Sequence, residues 1–108
     1  MENYVGVLLF RATGESEDDH PLYEESFVLL TAEDEETAWA KASSHGRERE
    51  HSYRNDDGEL ISWKLEQVVD VCLAVDDEIG DGAELYSRFF RDLTAYRAFE
   101  PLLDGEPL

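Results

Sequence analysis

Two apolar stretches near the start of the chain predict a pair of β-strands. Residues 3–12 are apolar at both odd and even positions, as expected of a strand that is covered on both of its faces. Residues 22–30 begin with alternation and end in an apolar run, which predicts a second strand. The residues between them, 13–21, are polar, acidic and interrupted by Gly and Pro, which indicates a loop. Chain order then favours an antiparallel pair of strands around an acidic loop.

The clearest helical pattern follows the second strand, at about residues 34–45. Small alanines form a narrow apolar stripe at helical spacing, and acidic residues crowd the N-terminal end, where the helix dipole favours negative charge. Asp34 is a candidate N-cap, and Thr31 is the alternative start of a capping box. Gly46 is a candidate C-terminal stop.

A long alternating run in the second half of the chain predicts the rest of the sheet. Residues 55–58 read Asn-Asp-Asp-Gly, and Asp-Gly is a strong hairpin dipeptide. This turn would join a short strand at 51–54 to a long one that begins at Glu59. From Ile61 onward the odd positions carry most of the apolar residues. The run is longer than most strands, so we expect a bend or bulge near residues 66–68.

The C-terminal part of the chain fits both helical and strand patterns. Residues 84–90 are aromatic enough for a strand, although apolar residues here and beyond also stand at helical spacing. We expect a strand at 84–90, a short helix at 91–98 and a flexible tail at 100–108. The whole order predicts an α+β fold, with a small antiparallel sheet of about four to five strands and both helices packed on one face.

Length and composition favour one small domain spanning residues 1–108. Hydrophobic residues make up 42% of the chain, enough for one modest core. No apolar run approaches the roughly 20 residues needed to cross a bilayer, and the first residues lack the features of a secretory signal. The lone Cys72 cannot form an internal disulfide. These features predict a cytoplasmic protein without membrane contact.

Net charge is the extreme property of the chain, with 27 acidic residues against 9 lysines and arginines, for a formal charge of −18. Nucleic acid and anionic membrane surfaces repel such a protein, so we expect neither as a partner. The charge suits a basic protein partner. Solubility and adaptation to a salty cytoplasm are the alternative explanations.

No recognised catalytic or cofactor motif is present. The chain has no nucleophile elbow, no phosphate-binding glycine loop and no zinc spacing. An EF-hand beginning at Asp76 would need glycine at its sixth position, but Asp81 stands there and Gly80 comes one residue early. We therefore predict a non-enzymatic protein without a cofactor. The alternative is a divalent-metal domain or enzyme that uses four carboxylates, Asp76, Asp77, Glu78 and Asp81.

The predicted partner-binding residues are acidic and aromatic side chains together with one arginine, because charge steers association and aromatic anchors dominate interface energetics. They are Asp76, Asp77, Glu78, Asp81, Glu84, Tyr86, Arg88, Tyr23, Glu24 and Glu25. The leading hypothesis is a small acidic protein that neutralises a basic protein partner, as immunity proteins neutralise toxins. A structural homodimer of unknown role is the further alternative.

Four blocks of the sequence resemble the bacterial DUF4288 family, a domain of unknown function. They read YVGVLLFRATG, YEESFVLLTAEDEETAWAKA, SYRNDDGELISWKLEQVVDV and DDEIGDGAELYSRFF. The resemblance covers roughly residues 3–91 and leaves out the acidic loop and the C-terminal tail. It implies a small, single-domain, cytoplasmic bacterial protein, and it supplies no catalytic residues that could be carried over to this sequence.

Overall fold

The fold is known from a computed structural model, which describes residues 1–15 and 21–100. In chain order its elements are β1 (Glu2–Gly14), β2 (Leu22–Ala32), α1 (Glu35–Glu48), β3 (His51–Arg54), β4 (Leu60–Leu73) and α2 (Leu93–Phe99). The strands form one antiparallel sheet in the order β2-β1-β4-β3, and α1 packs against one face of it. The predicted α+β class is confirmed.

Strand β1 lies at the centre of the sheet and is covered on both faces, as its sequence predicts. Tyr4, Leu8 and Phe10 contribute to the core beneath α1; this side of the sheet is termed the helix face. Val5 and Val7 point to the other side, termed the opposite face, and they are only 3% and 1% exposed. Since α1 covers one face only, a second layer must lie over the other.

The C-terminal segment supplies that second layer through Tyr86. Val7 is in register with Phe27 on β2 and with Asp70 on β4. The Tyr86 ring centroid lies 5.6 Å from that of Phe27, and its hydroxyl donates to Asp70 Oδ2 at 2.9 Å. Tyr86 therefore lies over the opposite face at the level of Val7.

Two β-bulges interrupt the pairing of β4 with β1, and they confirm the expected irregularity. The register shifts leave Glu66 and Val69 without a direct partner on β1. Each extra residue reverses the inward and outward phase of the strand. As a result Leu65, Val68 and Val71 all contribute to the core beneath α1, although strict alternation would place Val68 on the other face.

Helix α1 begins at the predicted cap but ends later than predicted. The side chain of Asp34 accepts from the backbone N–H of Thr37 at 2.7 Å. The helix then continues through Gly46 to Glu48, so Gly46 is not its stop. A Cβ atom at Gly46 would lie 2.8 Å from both terminal carbons of Leu65. A larger residue at position 46 would therefore push against Leu65, because α1 approaches β4 closely.

The hairpin turn between β3 and β4 forms where the sequence predicts it. The backbone N–H of Gly58 donates to the carbonyl of Asn55 at 2.9 Å, and Gly58 has a φ of 78°. The side-chain oxygen of Asn55 also accepts from the N–H groups of Asp57 and Glu59. An Asn side chain that bonds the backbone two residues on is a typical way to close such a turn.

The predicted strand at 84–90 is not formed. Among the described residues, pairing here is limited to two backbone bonds, from the N–H groups of Val75 and Asp76 to the carbonyls of Leu85 and Glu84, at 3.4 and 3.0 Å. Beyond Leu85 the chain leaves the plane of the sheet, because the contacts of Tyr86 hold it over the opposite face.

The predicted C-terminal helix is present as α2, but it does not pack as expected. None of its residues is buried, and no Cα atom of α2 lies within 8 Å of a Cα atom of α1 or of the four strands. The ring of Tyr96 in α2 stacks on the ring of Phe90, with centroids 4.7 Å apart. Neither helix in the described ranges is long and apolar enough to cross a membrane.

The proposed acidic loop at 13–21 is shorter than its sequence indicates. Thr13 and Gly14 belong to β1, where they are in register with Ser62 and Ile61 of β4. Residues 16–20 lie outside the described residues, as does the proposed tail beyond Glu100.

Candidate functional site

The predicted acidic residues between β4 and the C-terminal segment form one tight turn, termed the acidic turn (residues 76–84). Asp76 closes it, because its carboxylate accepts from the backbone N–H of Glu84 at 2.8 Å. Gly82 takes a φ of 84°, a value that glycine adopts without strain. Asp77, Glu78 and Asp81 are exposed. One carboxylate of the turn therefore has a structural role, and the others face solvent.

Three other parts of the chain meet the acidic turn at the same end of the sheet. The side-chain amide of Asn3 donates to the carbonyl of Asp77 at 3.4 Å, and the backbone N–H of Ala74 donates to the carbonyl of Asn3 at 2.9 Å. Glu2 is in register with Ala32 at the end of β2, and α1 starts three residues later. The starts of β1 and α1 and the ends of β2 and β4 thus converge.

This convergence gathers acidic side chains without any lysine or arginine from the same segments. The set, termed the acidic end, comprises Glu2, Glu33, Asp34, Glu35, Glu36, Asp76, Asp77, Glu78, Asp81 and Glu84. Residues 1–4, 30–37 and 73–85, which build this end, carry no lysine or arginine. Lys41 reaches its border from α1, where its ammonium group donates to the carbonyl of Thr31.

The pKa values of two groups at this end reflect burial, hydrogen bonding and nearby negative charge. Burial raises the pKa of Tyr4, and the charges of Glu2, Asp34 and Glu35 raise it further. The pKa of Asp34 itself is lowered, because its carboxylate accepts the hydrogen bonds from Thr37. The field of the acidic end therefore reaches the first core residue of β1.

The lone thiol of Cys72 lies near this end on the opposite face, in register with Val5. Burial raises its pKa, and the charges of Asp70 and Glu35 add to the effect. A raised thiol pKa disfavours the reactive thiolate, so Cys72 has the properties of a packing residue.

The remaining predicted partner-binding residues are divided between two other places. Tyr86 is half-buried and packs within the molecule, and Arg88 follows it at an exposed position. Tyr23 is in register with Arg11, whose guanidinium carbon lies 5.9 Å from its ring centroid. Arg11 stands eight residues beyond Asn3 on β1, about 26 Å at the usual rise of a strand.

That separation divides the predicted set into unconnected surfaces. Tyr23, Glu24 and Glu25 are at the far end of the sheet from the acidic turn. Glu24 lines a cavity on the helix face, whereas Glu25, one residue on, points to the opposite face because strand side chains alternate. One partner surface cannot use all ten residues at once without spanning the whole sheet.

The four carboxylates of the metal alternative do not form a cluster. In the described ranges no group of three or more His, Cys, Asp or Glu side chains is arranged to hold a metal ion. Asp76 is already engaged with the backbone of Glu84. The acidic turn therefore offers no preformed site that combines Asp76, Asp77, Glu78 and Asp81.

The structure also contains a groove on the helix face that sequence patterns did not reveal. Helix α1 ends before the far end of the sheet, which leaves a cavity of about 440 Å³ lined by Phe10, Glu24, Arg49, His51 and Trp63. A second cavity of about 360 Å³ also borders Trp63. The His51 ring stacks on Tyr53 with centroids 6.0 Å apart.

This aromatic groove combines ring faces with cationic and anionic groups. Its members come from four separate parts of the chain, so only the strand register brings them together. The signal available in the sequence was the run of basic residues after α1, which contains Arg49 and His51. That run gave no indication that Trp63 and Phe10 would form the floor beneath it.

The fold and its acidic end define a small α+β protein with one helix covering a four-stranded antiparallel sheet. The family model DUF4288, a domain of unknown function, matches residues 3–87, so the chain belongs to this family, as its sequence blocks predict. The match spans α1, the acidic turn and nearly all of the sheet, and it ends just after Tyr86. Comparisons with curated proteins and with solved structures each gave no significant match.

Proposed function

We propose that this protein is a non-catalytic cytoplasmic binding protein whose acidic end docks onto a basic surface of another protein. The observation that supports the proposal is that segments carrying ten acidic residues and no lysine or arginine meet at one end of the sheet. Such a one-signed surface attracts cationic partners and raises their association rate. The overall charge of −18 adds to the attraction.

Local clustering matters more than total charge for this function. At physiological ionic strength the Debye length is about 8 Å, so distant carboxylates contribute little at the point of contact. The start of β1 contacts the acidic turn through Asn3, and the charges of Glu2, Asp34 and Glu35 all act on Tyr4, so several segments present negative charge at one end of the sheet. A partner with several lysines or arginines close together on its surface matches this arrangement.

The proposed role is to neutralise the partner protein by covering its basic surface. A protein whose activity depends on a basic surface, such as one that contacts nucleic acid or an anionic membrane, loses access to its target when that surface is covered. The binding protein then needs no catalytic residue of its own. Because the acidic end repels nucleic acid, it binds the basic protein and not the nucleic acid that the basic protein contacts.

Two matched charge variants test this proposal. One neutralises the acidic end at Glu36→Gln, Asp77→Asn, Glu78→Gln and Asp81→Asn, which spares Asp34 and Asp76 because both have structural hydrogen bonds. The control neutralises four exposed acids elsewhere, Glu48→Gln, Asp56→Asn, Asp57→Asn and Glu66→Gln. Both variants change the net charge equally.

Binding is measured by calorimetry, first with poly-L-lysine and then with basic proteins captured on the immobilised wild type and purified. We expect the acidic-end variant to bind about tenfold more weakly, since several surface ion pairs each contribute a few tenths of a kcal/mol to about 1 kcal/mol. The control should bind almost as the wild type does. Equal weakening in both variants would show that only total charge matters, and the proposal would then be wrong.

A further inference from the structure

The two edges of the sheet differ in how they are protected against pairing with another chain. At one edge β3 has only four residues, all of them exposed, and a short polar strand is a poor template. At the other edge β2 has eleven residues, with no Pro, Gly, Lys or Arg among them. No described residue pairs with the outer side of β2.

Strand β2 also exposes large apolar side chains on the opposite face. Tyr23, Phe27 and Leu29 all lie on this face and are 48%, 57% and 52% exposed. Tyr86 extends this apolar strip inward, since its ring lies beside Phe27. A long, unbroken, apolar edge strand is an association site unless something covers it.

We propose that a second copy of this chain covers the edge, with the two β2 strands antiparallel about a two-fold axis at Phe27. The register centred on Phe27 is the one that pairs all eleven residues of β2, from Leu22 opposite the partner's Ala32 onward. The two sheets then join into one continuous sheet of eight strands. Each Phe27 meets the partner's Phe27, with a Tyr86 ring on each side.

The charges of β2 are compatible with this register. Glu24 and Glu25 face the partner's Leu30 and the partner's Leu29, so no carboxylate lies directly opposite another. Registers centred on Glu24 or Glu25 would instead place identical carboxylates opposite each other, which destabilises a strand pair. The sequence of β2 is therefore self-complementary in its longest register.

The antiparallel arrangement also separates the two acidic ends. Because β2 finishes at the acidic end, two-fold pairing places the two acidic ends at opposite extremities of the joined strands, about 30 Å apart. This distance is several Debye lengths at physiological ionic strength. Residual repulsion between two chains of −18 each predicts a dimer that is strengthened by salt.

Cross-linking with single cysteines tests the register. In a Cys72→Ala background, Phe27→Cys would place two Cβ atoms about 4.5–5.5 Å apart across the axis, within reach of a disulfide after small adjustment. Leu29→Cys is the matched control, because its exposure is similar but it would lie about 13 Å from its own copy along the strands. We expect disulfide-linked dimer from Phe27→Cys at least about tenfold faster than from Leu29→Cys.

Sedimentation of the unmodified chain provides an independent measurement. We expect a mass that rises with protein concentration and a dimer that tightens as salt is raised from low to physiological concentration. A monomer at every concentration and salt level would overturn the proposal, as would equal cross-linking rates for the two cysteine variants. Capture of another protein at the acidic end bears on the function proposed above and leaves this test unaffected.

Discussion

The hydroxyl of Tyr86 donates a hydrogen bond of 2.9 Å to Asp70, sixteen residues earlier in the chain. This bond, with the ring contact to Phe27, holds the segment after β4 against the opposite face. It joins the C-terminal segment to two strands that are not neighbours in the sheet, so its loss should loosen the cover over Val7.

Replacing Tyr86 with phenylalanine should therefore destabilise the protein and change its response to alkaline pH. The variant keeps the ring contact but leaves the half-buried Asp70 without this donor, at a cost of about 1 kcal/mol. Burial, and then the bond to Asp70, raise the pKa of Tyr86. A raised tyrosine pKa stabilises the folded state below the unfolded value of about 10, and this contribution is lost as pH rises through the folded value.

Urea denaturation between neutral pH and pH 11 provides the measurement. We expect the wild type to lose more stability than Tyr86→Phe over the alkaline range. Some loss should remain in the variant, because the pKa of Tyr4 is raised as well. Tyr53→Phe is the control, since Tyr53 is exposed at the β3 edge. Parallel alkaline profiles for the wild type and Tyr86→Phe would contradict the prediction.

The close contact between Gly46 and Leu65 predicts a substitution whose effect changes sign with its background. Gly46→Ala improves helix propensity by up to about 1 kcal/mol, but its methyl group would overlap the Leu65 side chain, and overpacking costs about 1–3 kcal/mol. We expect a net loss of stability in the wild-type background. In a Leu65→Ala background the same change should be stabilising, because the overlapping atoms are gone.

A double-mutant cycle from denaturant titrations checks this sign change. The coupling energy between the two positions should be about 1 kcal/mol or more, as for other residues in direct contact. Additive effects would mean that α1 does not approach β4 as closely as the distances indicate.

Salt dependence distinguishes a partner-binding charge from adaptation to a salty solvent. We expect the protein to remain folded at physiological salt and to gain modest stability as repulsion within the acidic end is screened. Most of that gain should be complete once the Debye length falls to a few ångströms. Thermal unfolding followed by circular dichroism from low to molar salt provides the measurement. If the protein is folded only at molar salt concentrations, the acidic composition is an adaptation to a salty solvent.

Calorimetry with Mg²⁺, Ca²⁺ and Mn²⁺ tests the metal alternative for the acidic turn. Because these carboxylates do not converge on a common position, we expect only weak, non-saturating heats that salt suppresses. Saturable binding of one ion that is abolished by Asp77→Asn with Asp81→Asn would show instead that the turn rearranges around a metal.

Local sequence patterns were sufficient wherever neighbouring residues determine the structure. The apolar residues at both parities of β1 correctly predict a strand that is buried on both faces. The cap at Asp34 and the turn at Gly58 follow from side-chain and backbone preferences of a few adjacent residues. The acidic turn was located as well, since it lies between a strand and an aromatic run.

The features that were missed depend on contacts between distant parts of the chain. The pattern of 84–90 fits a strand, but Tyr86 finds its partners on Phe27 and Asp70, and the segment leaves the sheet. Gly46 resembles a helix stop, and only the approach of Leu65 shows why glycine is inside α1. The aromatic groove likewise requires the register of Trp63 against its neighbours, which no local pattern contains.

The paired bulges of β4 set a rule for how the length of this strand can change. Glu66 and Val69 have no direct partner on β1, so loss of either residue alone would close its bulge and leave the facing of every paired residue unchanged. Loss of a paired residue away from the bulges would instead exchange inside and outside for the residues on one side of the deletion. Single deletions in this strand should therefore be tolerated at the two bulges, where β4 can shorten without turning the core outward.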